Sequence, residues 1–91
     1  MQIINHLADV LSIRINISAT ASRGLIKLAI KDEIGPFEPL NKIGLKEYKR
    51  VIQTSLKRRL QNLNVENFEE IIVILSNELV THQSLILMEK I

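Results

Sequence analysis

Both prolines and two of the three glycines of this chain fall inside one stretch, Gly35 to Gly44. Proline lacks the backbone donor that a helix interior needs, and glycine suits the left-handed residue that closes a helix. The stretch therefore reads as the one long loop. It separates an N-terminal third from a C-terminal half that runs on with no Pro or Gly at all. No repeat, low-complexity segment or linker is visible, and 91 residues leave room for one core. We expect a single helical domain over residues 1–91.

The C-terminal half carries two helical patterns. Leu45, Tyr48, Val51, Ile52, Leu56, Leu60 and Leu63 form one apolar stripe, which predicts a helix over residues 45–63. Asn62 and Asn64 suit its end, because Asn tolerates positive φ. The next helix is predicted from about Phe68 to about Lys90. Asn67 and Glu70 have capping-box spacing, and Glu66, Glu69 and Glu70 lie where the helix dipole favours negative charge. The run Ile71-Ile72-Val73-Ile74-Leu75 also suits a strand, but the length and the cap favour a helix.

The N-terminal third admits two readings. Ile3, Ile4, Leu7, Val10 and Leu11 have helical spacing, whereas Leu11, Ile13, Ile15 and Ile17 alternate as in a half-buried strand. Ser18, Ala19 and Thr20 then offer the start of a helix that ends near Ile34. We take the helix–helix reading, which makes the fold class all-α, a compact four-helix domain. The alternative is α+β, with a short strand over residues 11–17. Gly24 lies inside the second helix, either to allow close helix packing or as a tolerated defect.

Hydrophobic residues make up 46% of the chain and aromatic ones 3%. The core must therefore be aliphatic, helped by Phe37, Tyr48 and Phe68. A domain of this size buries roughly 60–65% of the surface of its unfolded chain. It lacks the interior volume to hide every aliphatic side chain, so some should lie at an interface with a partner. Without cysteine there is neither a disulfide scaffold nor thiolate chemistry, which fits a reducing cytoplasm. Met1 to Val10 has no basic leader, and no run of about 18 uncharged apolar residues occurs. We expect a cytoplasmic chain with no membrane segment. The sequon Asn16-Ile17-Ser18 is then a chance match.

Chemistry-bearing motifs are sparse. His6 and His82 are the only histidines and lie far apart in sequence, so no metal site and no cofactor are expected. His82 falls toward the main apolar stripe of its helix, which suits a core-edge histidine. No nucleophile elbow, phosphate loop or dinucleotide fingerprint is present. Asp32-Glu33 and Glu66-Glu69-Glu70 look like helix-end charges, with no sign of paired catalytic acids. No enzyme is expected.

Two binding surfaces remain. On the helix over 45–63, Lys46, Arg50 and Lys57 share a stripe opposite much of the apolar face, flanked by Arg58 and Arg59. Such a face could contact nucleic-acid phosphates. Glu47 and Gln53 interrupt it, stacking aromatics are absent, and the net charge is only +2. On the last helix, Phe68, Ile72, Leu75, Leu79 and Ile86, with Ile71, form the stripe that should face the core. Val73, Val80 and Leu87 recur every seven residues on another side, with Asn77, Ser84 and Ile91 each four residues further on at the d-like positions. That is the spacing of a short coiled-coil seam. We favour this seam, Val73, Val80, Leu87 and Ile91, as a homodimer interface. Nucleic-acid contact through Lys46, Arg50, Lys57 and Arg58 is the alternative.

Ser22-Arg23-Gly24-Leu25-Ile26-Lys27-Leu28-Ala29-Ile30-Lys31-Asp32-Glu33, then the Gly35-Pro36-Phe37 loop, and later Leu45-Lys46-Glu47-Tyr48-Lys49-Arg50-Val51-Ile52 to Leu60, carry a resemblance. Together they resemble small thaumarchaeal proteins grouped as signal-output domains, over roughly two-thirds of the chain. The resemblance implies an archaeal, cytoplasmic, all-helical output or adaptor module in signalling. It carries over no functional residue, and a strand near Leu11–Ile17 would count against it.

Overall fold

Every regular element is helical among the described residues. The structure, a computed structural model, describes residues 2–36, 38–39 and 42–89. The first helix, α1, spans Gln2–Ile15 and α2 spans Ala19–Glu33. A continuous helical rod follows: α3 (Leu45–Arg50), a π-helical segment (Val51–Leu56) and α4 (Lys57–Asn62). The last two helices are α5 (Phe68–Thr81) and α6 (Gln83–Glu89). No helix is long and apolar enough to cross a membrane among the described residues.

Helix α1 buries Ile3, Ile4, Leu7, Ala8 and Leu11 on one face. The helix runs on through Ile15, into the stretch 11–17 for which a strand is the alternative, with Leu11 buried and Ile15 partly buried against the core. A strand there would have no partner strand to bond among the described residues, whereas a helix pairs its own backbone, so the helix wins and leaves Ile13 exposed. Asn16 ends it at φ 57°, and Ser18 opens α2 with its side chain accepting from the Ala21 amide at 3.0 Å. The 18–20 start and the end near Ile34 fall where the sequence places them. Gly35 then sits at φ +114°, with its amide 3.0 Å from the Lys31 carbonyl, which closes the C-terminus of α2. Phe37, expected in the core, lies outside the described residues. Ile43 anchors the far end of the loop in the core.

Gly24 has no close-packing role. It is exposed, and a Cβ built on it meets nothing within 4 Å. Gly24→Ala is therefore expected to stabilise the protein by about 1 kcal/mol, read as a higher urea midpoint at unchanged slope.

Helix α1 packs along α2 and against α5 and α6; α2 also packs on the π segment, and α5 closes over the rod. The core holds Leu56, Leu60, Leu75 and Leu79 at full burial, with Tyr48 and Ile52 beside them. Phe68 is half-buried against this cluster. The radius of gyration is 12.0 Å, the value of about 12 Å expected for one close-packed domain of this length.

Three local expectations are corrected. Asn67 precedes α5 at φ −101°, ψ 38°, outside the extended geometry of a capping residue, and its side chain makes no cap bond. Leu63, placed in the core stripe, is exposed, because the chain turns out of the helix there. The helix expected over 68–90 is interrupted at His82. His82 stands at φ −109°, ψ 27°, outside the helical basin, with its amide and its ring Nδ1 both 3.0 Å from the Glu78 carbonyl oxygen. Lys90 and Ile91 lie outside the described residues.

Candidate functional site

The outward side of α5 is the first candidate. The core-facing set, Ile71, Ile72, Leu75 and Leu79, occupies one side of the helix. At 100° per residue, Val73, Asn77 and Val80 fall on the other side. Val73 is 59% exposed and Val80 42%. None of these three side chains carries a charge. Leu87 is exposed as well, but the break at His82 puts it on α6. The seven-residue spacing is therefore not carried by one straight helix. Ser84 is exposed in the same region, and Ile91 lies outside the described residues.

The basic face is rearranged. The π segment inserts one extra residue into the rod, which sets α4 back by about 100° relative to α3. Lys57 is turned out of the row that holds Lys46 and Arg50 and is half-buried; Arg58 takes its place and is exposed. Acids at the C-terminal end of α2 also engage the rod. Arg59 grips one Asp32 oxygen through Nε and Nη2, both at 2.7 Å. Arg50 Nε lies 3.6 Å from Glu33, whose other oxygen accepts from Ser55 Oγ at 3.3 Å. These half-exposed pairs contribute up to about 1 kcal/mol each. They also place two carboxylates beside the cations that a nucleic acid would need, which disfavours phosphate binding there.

The third candidate is a side-chain cluster that the sequence order hides. His6 on α1, Glu78 on α5 and His82 at the α5–α6 joint converge on one spot. His6 Nε2 lies 2.8 Å from Glu78 Oε2, and His82 Nδ1 lies 3.3 Å from the same oxygen. The two rings are 4.0 Å apart, tilted by 42°. All three side chains are about one-third exposed. Glu78 also borders an open groove of about 460 Å³ between α1 and α5, lined by Val10, Ile13, Arg14 and Ile74. His82 is thus near the core edge, as its position in the apolar pattern implies, but its partners are polar. The sequence shows only the Glu78–His82 pair, by its i, i+4 spacing; His6 lies 72 positions from Glu78. The antiparallel placement of α1 beside α5 brings them together.

The hydrogen bond from His6 holds the Glu78 carboxyl below its ordinary range, assisted by the charges of His6 and His82 and opposed by burial. A depressed carboxylate stabilises the fold above its ordinary pKa, and that contribution is lost as pH falls through the lowered value. Glu78→Gln is therefore expected to be less stable than wild type near neutral pH and to converge with it in acid. Chemical denaturation across a pH series, with chelator present, checks this. Partial exposure of Glu78 keeps the effect modest.

Comparison of the chain with family models, with curated proteins and with solved structures yields no match in any of the three.

Proposed function

We propose that this chain is a small non-enzymatic regulatory or adaptor module that acts through protein–protein interaction, as a homodimer. The observation that carries this reading is the side of α5 opposite the core-facing residues, where Val73 and Val80 stand exposed. A helix apolar on two sides has both sides to cover, and the core covers only one. Because Val73, Asn77 and Val80 carry no charge to match, the same segment of a second copy is a suitable cover. A two-fold pairing would bring each Val73–Val80 edge onto its equivalent. The resemblance to thaumarchaeal signal-output domains points the same way, toward a cytoplasmic module in signalling. The sequence also lacks any catalytic motif.

Light scattering across a concentration series tests the reading. The wild type should approach twice 10.4 kDa, and Val80→Glu should give a folded monomer. Val80 is exposed in the free chain, so the charge does not enter the core. A wild type that stays monomeric at every concentration, or a Val80→Glu variant that keeps the dimer mass, overturns the reading. In the first case, binding to nucleic acid at low salt is the next measurement, through Lys46, Arg50 and Arg58.

A further inference from the structure

The chain has two histidines, and folding brings both onto one carboxylate. We propose that His6, Glu78 and His82 form a binding site for a divalent late transition metal, with Zn2+ the expected occupant. The donor atoms of the three side chains lie within 4.8 Å of one another. In a tetrahedral zinc site with bonds of about 2.0–2.1 Å, neighbouring ligand atoms stand about 3.3 Å apart. The 3.3 Å between His82 Nδ1 and Glu78 Oε2 already matches that edge, and the 2.8 Å between His6 Nε2 and the same oxygen must open by about 0.5 Å.

The chemistry of the cluster suits a cation. An ionised carboxylate only accepts hydrogen bonds, so one ring proton now bridges His6 and Glu78. A metal ion replaces that proton and binds both lone pairs. His82 Nδ1 also lies 3.0 Å from the Glu78 carbonyl oxygen, so the ring proton shared there gives way to the metal and the ring takes the tautomer protonated at Nε2. Two imidazoles and one carboxylate select zinc, cobalt, nickel or copper over the oxygen-seeking Mg2+ and Ca2+. All three side chains are about one-third exposed, so ions can enter and water can complete the coordination shell. The ligands come from α1, from α5 and from its junction with α6. A bound ion would therefore tie the N-terminal helix to the C-terminal pair.

The test uses the full chain, freed of metal with chelator and titrated with Co2+. The expected result is one Co2+ per chain, with the visible bands of a four- or five-coordinate site, displaced by equimolar Zn2+ and not by Mg2+. Zn2+ should raise the thermal midpoint of the wild type, because it binds the folded chain alone. His6→Ala, His82→Ala and Glu78→Gln should each weaken Co2+ binding by about tenfold or more and abolish the zinc-induced rise. Glu78→Gln keeps the size and shape of the side chain, so it separates lost ligation from lost folding, and circular dichroism verifies helicity for each variant. Absence of visible bands at saturating Co2+, or unchanged binding in both histidine variants, overturns the site. Neither outcome depends on dimerisation, because Val80→Glu should bind the metal as the wild type does.

Discussion

Leu60→Ala is expected to destabilise the protein by about 3 kcal/mol, while Leu63→Ala costs less than about 0.5 kcal/mol. Both leucines belong to the apolar pattern of the rod in sequence, yet Leu60 is 0% exposed and Leu63 59%. Truncating Leu60 removes buried methyl groups and leaves a cavity among fully packed neighbours; truncating Leu63 removes surface already in water. For a domain of this size, the thermal midpoint should fall by about 12–24 °C for Leu60→Ala and hardly at all for Leu63→Ala. Thermal and urea unfolding of the two variants side by side reads the difference. Equal costs would mean that the rod is not rotated as described.

The rotation has a specific cause. Tyr48, Ile52, Leu56 and Leu60 recur every fourth residue, and all four are buried. Four residues advance an α-helix by about 400°, so such a row drifts about 40° at each step and would leave the core within three steps. The π segment, Val51–Leu56, lies in the middle of the row. Its one extra residue takes back about 100° and returns Leu56 and Leu60 to the face of Tyr48.

Ala8→Leu should also be costly, by about 1–3 kcal/mol, for the opposite reason. Ala8 is 0% exposed on the buried face of α1, which packs along α2 and against α5 and α6. The added carbons have no solvent to move into, so α1 must shift from its neighbours. The thermal midpoint should drop by about 4–24 °C. A shift of α1 also displaces His6, two residues away. The same variant should therefore bind Co2+ more weakly, whereas Leu60→Ala, remote from the cluster in sequence, should bind it as the wild type does once folded.

Much of the fold is legible in local pattern. The apolar faces of α1, of the rod and of α5 follow from spacing, and Ser18 and Asn64 take the cap and left-handed roles that their side chains suit. The π segment also left a trace, the fourfold spacing from Tyr48 to Leu60, which reads as an ordinary stripe unless its drift is followed. Asn67 shows the limit of motif spacing: it stands at the right distance from Glu70, but its backbone is set by the turn that delivers α5. The break at His82 is less legible still. Histidine is no helix breaker, and the interruption accompanies a ring bond to the Glu78 carbonyl and the burial of Ile86 on α6.

The candidate sites divide in the same way. The exposed side of α5 could be read from the sequence, because the angle between Val73 or Val80 and the core-facing residues is internal to one helix. The basic row could not, because the π segment turns Lys57 away and α2 sets Asp32 and Glu33 against Arg59 and Arg50. Of the histidine cluster, the Glu78–His82 pair follows the local i, i+4 spacing, whereas the arrival of His6 was beyond any local rule. Periodicity along one helix is a property of neighbouring residues and survives as a string of letters. The meeting of His6 with Glu78 and His82 depends on how α1 lies against the C-terminal helices, and that is decided only when their apolar faces pack together.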